Sequence, residues 1–332
     1  MKSYSITDLW CFIEEKTDDD LLFESEAFFE TGNGHLKQQA NFEEFYSGKT
    51  VRGSFVEGID YEDPNLQKAW KEPFNPDLKQ IINSPDWTPV IVRLNDEVLD
   101  LKTWEIINYK RTFNMHEACI ERTFEAISPK AHHISVTIKR ILCLAEPEIA
   151  AISYCVKSLN FEGRISFMPL VQGNLQNEPG LANELQWNVL QTRTLQETAH
   201  LWIQIKHIKF QTATAIAYNF YKNNEQLNLI PTKIEKEKTA GFSIGTDVRT
   251  GDTLCLNKFI AVVTSAQYPS LEITEKACSK ASEAKAKGWN RLYDEHRTTW
   301  EQKWFYTDFQ DGDYSEKSHL KKYKYFRDIF TK

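Results

Sequence analysis

The sequence predicts an all-β protein, a large antiparallel β-sandwich that carries helices only at its C-terminal end. Three observations lead there. From Thr88 to about Val263, short runs alternate polar and apolar residues, the period of strands that bury one face. Almost no helical periodicity separates those runs, which excludes the β-α-β units of a parallel sheet and leaves packed antiparallel sheets. After Pro269 the composition turns to Ala, Glu and Lys, and Trp289, Leu292, His296, Trp300 and Trp304 recur at helical spacings of three and four.

Taken in order, Thr88 to Leu94, an Asn95-Asp-Glu turn and Val98 to Leu101 read as a first strand pair. Long strands are expected over Glu105 to Met115, Ala118 to Ile127, Ile134 to Leu144 and Ile149 to Leu159. The turn-forming stretches Asn114-Met-His-Glu, Ser128-Pro-Lys and Glu146-Pro-Glu separate them. The series continues through Gly163 to Gln172, Trp187 to Thr194, Thr198 to His207, Thr212 to Tyr221, Leu227 to Ile234 and Thr253 to Thr264. No repeat of fixed period stands out, which argues against a propeller or solenoid. Two helices are expected between Ser270 and Trp304, then a loop over Asp308 to Asp313, then a polar and aromatic tail to Lys332 without an apolar face. The implied division is a sandwich over 1–268 and a helical linker with its tail over 269–332.

The chain's 332 residues suffice for a large core, and 40 Lys and Arg against 47 Asp and Glu give a net charge of -7. That balance argues against general nucleic-acid or anionic-membrane binding, which needs clustered positive charge. Cys11, Cys119, Cys143, Cys155, Cys255 and Cys278 form no C-x-x-C and sit mostly among apolar neighbours, so most are expected as free, buried thiols. No metal set and no cofactor motif is expected. The N-terminus lacks a hydrophobic signal region and no run is long enough to span a bilayer, so the expected location is cytoplasmic.

Near the N-terminus, Glu24-Ser-Glu-Ala-Phe-Phe-Glu-Thr-Gly-Asn-Gly-His-Leu reads as a strand, a tight Gly32-Asn33-Gly34 reversal and a second strand. The glycines lack phosphate-loop spacing. Glu43 and Glu44 are adjacent, so on a strand they point to opposite faces and fail as a convergent acid and base; one solvated and one locally bonded carboxylate is the expectation. His132 and His133 fail as a metal pair for the same reason. His35, His116, His200 and His207 read as structural histidines. Trp70, Trp87, Trp104, Trp187, Trp202, Trp289, Trp300 and Trp304 offer flat faces for sugar rings, although core packing is the default. Trp87, after Ser84-Pro85-Asp86 at a loop-to-strand transition, is the best candidate for an exposed contact.

Glu24 to Glu44, then Gly53-Ser-Phe-Val-Glu-Gly, Asn83-Ser-Pro-Asp-Trp-Thr-Pro with Leu99-Asp-Leu, Tyr109-Lys-Arg-Thr-Phe-Asn-Met, Leu142 to Tyr154 and Glu295-His-Arg-Thr-Thr-Trp-Glu-Gln-Lys-Trp follow one another in order. In that order they resemble the N-terminal domain and linker of glycoside hydrolase family 65, inverting hydrolases and phosphorylases of α-glucosyl disaccharides. The resemblance implies a galactose-mutarotase-like supersandwich followed by linker helices. It also implies that the general acid resides in an (α/α)6 barrel, which this sequence does not reach: Thr307-Asp-Phe-Gln-Asp-Gly-Asp echoes the barrel's entry, and Lys321-Lys-Tyr-Lys-Tyr follows. No catalytic residue is therefore assigned. The expected role is that of a non-catalytic domain that supports barrel folding, the active-site rim and homodimer formation. Trp87, Asn33, His35 and Glu43 are the candidates for contact with an α-glucosyl disaccharide. Two alternatives stand beside it. One is a free-standing carbohydrate-binding or interaction module. The other is a mutarotase-like enzyme, which would need His116, His200 or His207 to converge with a Glu.

Overall fold

Alternation of buried and solvated residues governs the molecule's layers. The computed structural model describes residues 5–6, 10–16, 22–50, 53–56, 84–173, 187–206, 209–307, 309 and 315–330. Trp70, His207 and most of the 307–313 stretch lie outside the described residues. The N-terminal part holds β1 (Ser5–Ile6), β2 (Cys11–Glu14), α1 (Leu22–Phe28), β3 (Thr31–Gly32), β4 (Leu36–Gln38) and β5 (Ser54–Val56). The sandwich adds β6 (Val90–Leu94), β7 (Glu97–Val98), β8 (Glu105–Asn114), β9 (Cys119–Ile127), β10 (His133–Leu142), β11 (Ile149–Ser158) and β12 (Gly163–Gln172). It closes with β13 (Trp187–Thr194), β14 (Ala199–Ile205), β15 (Gln211–Lys222), β16 (Glu225–Gln226), β17 (Thr232–Lys236), β18 (Thr239–Val248) and β19 (Thr253–Thr264). Two helices, α2 (Ile273–Phe305) and α3 (Glu316–Phe330), complete it.

Eleven strands form one sheet in the order β1-β2-β8-β9-β10-β11-β19-β15-β14-β13, with β16 paired to β15. A five-stranded sheet, β17-β18-β12-β6-β7, covers one of its faces, and β3-β4-β5 make a small third sheet. All strand pairs are antiparallel, as expected for a sandwich without crossover helices. Between the two larger sheets lie Val92, Phe167 and Phe242 from the small one and Val136, Tyr154, Ile216 and Val262 from the large one, all buried.

The other face of the large sheet is also buried. On β15, Ala213, Ala215 and Ala217 alternate with Thr214 and Ile216, so the middle of one face is lined with methyl groups, and Asn219 beyond them donates to the Lys285 carbonyl of α2 at 3.0 Å. That flat surface lets α2 lie close, and Ile273, Ala277, Ala281, Ala284 and Leu292 fill the contact with Phe259, Ala261 and Val263 of β19. Gly288 interrupts α2 at φ 77° and ψ 166°, conformations only glycine adopts without strain, so the helical run divides in two. Beyond the bend, Trp300 and Trp304 pack with Phe113, Met115, Ile120 and Phe326 over the sheet's β8 and β9 end.

Four expectations need correction. Leu22–Phe28 is a helix and not a strand, because Leu22, Ser25, Glu26 and Phe29 bury one face at helical spacing. Thr239–Val248 is a full strand, although Gly241 and Gly245 on one face weaken its pattern; a Cβ there would meet the Pro169 or Ile165 carbonyl at 2.2 or 2.3 Å. Leu227–Ile234 forms only the start of β17, and Ile230 before it is 98% exposed. Glu316–Phe330 is helical, and the face it buries carries Ser318, His319 and Lys322 beside Phe326. Lys322 lies over the Trp10 ring at 4.3 Å, which lets a lysine join an apolar contact. Most of the cysteines are free thiols, as expected, and one pair is bonded. Cys155 and Cys255 face each other directly across β11 and β19 and are disulfide-bonded, while Cys11, Cys119, Cys143 and Cys278 are free.

Candidate functional site

The segment from Asn33 to Glu44 was expected to hold most of the ligand contacts, and the structure brings it together as a buried polar clasp. It begins at the β3–β4 hairpin. Gly34 takes φ 84°, and the Asn33 side-chain oxygen accepts the amides of His35 and Leu36 at 3.1 and 2.7 Å, which closes the reversal. The Asn33 amide nitrogen donates to the carbonyls of Cys143 and Pro147 at 2.8 and 3.0 Å, tying the hairpin to the turn between β10 and β11. The His35 ring nitrogen Nε2 lies 3.1 Å from the Val262 carbonyl of β19. Burial lowers its pKa despite that bond, which keeps the ring neutral as the donor. Both residues are consumed in holding the hairpin against the large sheet.

Glu43 and Glu44 leave strand geometry altogether, so adjacent side chains converge. Arg122 on β9 donates through Nη2 to both carboxylates, at 2.6 Å to Glu43. Arg140 on β10 adds a bond to Glu43 at 2.9 Å and reaches the carbonyls of Gln39 and Asn41. The Tyr154 hydroxyl of β11 donates to Glu44 at 2.7 Å. Both carboxylates are buried, which corrects the expectation that one is solvated.

Beside them, Arg111 stands opposite Arg122 across β8 and β9, with Glu14 at 3.4 Å and the Ser25 hydroxyl at 3.0 Å. Phe42 separates the two guanidiniums, 5.4 Å from Arg111 and 4.9 Å from Arg122. Arg111, Arg122 and Arg140 thus meet Glu14, Glu43 and Glu44 in a charge-balanced cluster.

Burial opposes the ionised form of Glu43, but the guanidiniums of Arg140 and Arg122 outweigh it and hold the carboxyl below its ordinary range. A carboxylate held this way is a poor proton donor. Buried among the described residues and bonded to Arg122 and Arg140, it serves to lock structure rather than to move protons. Sequence reasoning missed the arginines. The signal was present: Arg122 lies between Ile120 and Phe124, and Arg140 between Ile138 and Leu142, charges on the inward face of alternating strands.

Trp87 has no accessible surface and packs in the core between the sheets, which removes the exposed stacking face expected of it. Asp86 bridges to Gln172 of β12 and accepts the amide and hydroxyl of Thr88 at 2.9 and 2.7 Å, drawing the Trp87 loop inward. Lys258 of β19 then secures that loop from below. Its buried ammonium donates to the carbonyls of Trp87, Pro89 and Leu170 at 2.6, 2.9 and 2.7 Å.

The remaining histidines fall apart from one another. His116 sits in the β8–β9 turn against Trp10, while His200 on β14 lies beyond β9, β10, β11, β19 and β15. His200 bonds Gln191 at 2.9 Å and the Cys278 thiol of α2 at 3.3 Å. His132 and His133 pair separately with Glu97 and Glu125. His296, the one histidine inside α2, lies between the Glu117 carbonyl at 2.8 Å and the Leu144 amide at 3.4 Å. Burial holds its imidazole down at about 4. Among the described residues no three His, Cys, Asp or Glu side chains group as a metal set, and no helix is long and apolar enough to cross a membrane.

Comparisons with known proteins agree on one family. Its model, glycosyl hydrolase family 65, N-terminal domain, matches residues 12–303. The α,α-trehalose phosphorylase of Thermoanaerobacter brockii is 25% identical over 85% of this chain and 38% of its own length. The maltose phosphorylase of Bacillus subtilis (strain 168) is 23% identical over 86% of this chain and 37% of its own. For the kojibiose phosphorylase of Halothermothrix orenii the values are 22%, 91% and 38%. A solved structure, a putative kojibiose phosphorylase from human microbiome, superposes with a TM-score of 0.81 at 17% identity, over 98% of this chain and 42% of that one. The chain therefore spans well under half the length of the relatives it matches.

Proposed function

This chain belongs to the N-terminal domain family of glycosyl hydrolase family 65, and from that premise we propose that it is the non-catalytic sandwich of an α-glucoside phosphorylase or hydrolase. In this reading it supports the folding of a catalytic barrel, forms part of the rim of the barrel's active site and contributes to a dimer interface. The observations that carry the proposal are the family match over residues 12–303 and the likeness to the trehalose phosphorylase, of which the chain covers only 38%. The site chemistry supports it, since the signature carboxylates Glu43 and Glu44 are sequestered by Arg122 and Arg140. The end of α2 supports the docking role: Phe305 and Tyr306 are 82% and 84% exposed, an aromatic edge suited to a protein partner.

The test is to incubate the purified chain with trehalose, maltose, kojibiose and nigerose, with and without phosphate. The chain is then assayed again with a barrel from a family member supplied as a separate polypeptide. The expected result is no glucose or glucose 1-phosphate from the chain alone, and a gain in soluble, active barrel when the two are combined. Turnover by the chain alone overturns the non-catalytic reading, and a barrel indifferent to the chain overturns the supporting role.

A further inference from the structure

The outer face of the five-stranded sheet carries a groove of about 490 Å³, far from the clasp and from α2. Its middle is Ser166 of β12, flanked in register by Arg93 of β6 on one side and Gly245 of β18 on the other. Gly245 cannot be replaced by a larger residue, because a Cβ would stand 2.3 Å from the Ile165 carbonyl; the floor beside Ser166 therefore stays open. Arg164 lies two residues before Ser166 on the same face, and Ser243 two before Gly245, so two guanidiniums and two hydroxyls look into one depression. Ile230, 98% exposed, forms an apolar rim.

Among the described residues neither arginine of the groove has a carboxylate partner, as is also true of Arg193 and Arg249; what sets Arg93 and Arg164 apart is that both line one depression. Arg111, Arg122, Arg140, Arg291, Arg297 and Arg327 all meet carboxylates. Among the described residues neither Arg93 nor Arg164 has an ion pair, and Asp247, opposite Arg164 in the register, makes none with it. None of the described residues lining the groove is acidic, so with the exposed Asp247 across from Arg164 counted the two guanidiniums still leave a net positive charge there. Their planar forks suit an oxyanion, and the neighbouring hydroxyls suit polar groups on the same molecule. The groove's size falls in the range of small-molecule sites.

We propose that this groove binds a small hydroxylated oxyanion, a phosphate monoester or carboxylate of about monosaccharide size. Arg93 and Arg164 hold the oxyanion, while Ser166 and Ser243 bond the ligand's hydroxyls. This assignment is independent of the family reading and of any barrel.

Methionine methyl NMR on the 332-residue chain tests it with little ambiguity, because the sequence holds only three methionines. Met168 lines the groove and Met115 is wholly buried elsewhere, which makes it an internal control. Titration with glucose 6-phosphate or glucuronate is expected to shift the Met168 methyl saturably and leave Met115 unmoved. Whichever of the two binds more tightly identifies the oxyanion. The double variant Arg93→Gln with Arg164→Gln should weaken binding by about tenfold or more, the effect of losing charge-assisted bonds. Both side chains are exposed and without ion pairs, so its thermal unfolding should match the wild type. If that variant fails to fold, the wild-type titration at two ionic strengths reads the same property, with weaker binding at higher salt. No saturable shift at Met168 overturns the proposal. So does equal binding of neutral glucose, equal binding of inorganic phosphate alone, or binding that neither the variant nor salt weakens.

Discussion

One sheet is covered on its two faces by two kinds of chemistry. At its β8 to β11 end, the inner face is closed by a polar clasp in which Glu43 and Glu44 meet Arg122, Arg140 and Tyr154. The outer face is closed by α2, whose contact there is built from alanines and branched aliphatics, while beyond Gly288 its tryptophans and one neutral histidine cap the β8–β9 end. The difference concerns how each cover fails. Apolar contacts lose stability in proportion to the surface and cavity changed, whereas a buried ion cluster loses it abruptly when one partner is removed and the others remain charged.

The sharpest break is Arg122→Met. It removes the guanidinium that Glu43 and Glu44 share, leaving Glu43 with Arg140 and the buried Glu44 without its arginine, and a loss of about 3–5 kcal/mol is expected in urea unfolding. Removing the carboxylate left without its arginine as well, with Glu44→Gln in the same chain, keeps the Arg140–Glu43 pair balanced and should return part of that loss. If the double variant is no more stable than Arg122→Met alone, the clasp is not held by its charges.

Histidine and carboxylate contributions also separate by pH. His296 stays neutral in the folded chain down to about 4, while in the unfolded chain it gains a proton near 6.5. Stability is therefore complete above 6.5 and falls as pH drops toward 4, by about 3 kcal/mol for this group. Burial gives His35 and His200 shifts of the same sign. Glu43, held below its ordinary range, acts in a lower window: its contribution is present above 4.5 and lost as pH falls through the folded value. His296→Gln should flatten the decline between pH 6.5 and 4 and leave the steeper acid limb intact. Chemical denaturation at pH 7.5, 5 and 3.5 checks this, and an unchanged upper slope would remove His296 from the account.

A smaller effect isolates the bend in α2. Gly288→Ala meets nothing within 4 Å, so its cost is purely one of backbone conformation, about 1–3 kcal/mol. By contrast, Lys130→Ala breaks only an exposed pair with Asp96, and the unfolding midpoint should not move measurably.

The same contrast explains what could be read from the residues. The long strands were legible because apolar residues alternate along them, as in Ile134-Ser-Val-Thr-Ile, and the two parts of α2 because tryptophans mark its buried stripe. Elements whose buried face is polar were not. α3 extends its Tyr323, Phe326 and Ile329 stripe with the buried His319 and Lys322, and α1 hides Ser25 and Glu26, so the apolar pattern of each is broken by polar residues. β18 was obscured by glycines that the approach of β12 requires. In the clasp, adjacency of Glu43 and Glu44 implied divergence only if the backbone were extended. The loop geometry that lets both reach Arg122 depends on Arg140 and Tyr154, about a hundred residues away in the chain, and nothing local encodes it. Trp87 misled for a related reason: its loop is drawn inward by Lys258, still farther along the sequence.

The Cys155–Cys255 bond joins neighbouring strands of the large sheet, yet in the chain its two ends lie 100 residues apart. Everything from β12 to β18, including the whole five-stranded sheet apart from β6 and β7, is strung between them. A protease cut anywhere in that interval therefore leaves two fragments in one covalent molecule, which run together on a gel until a reductant is added.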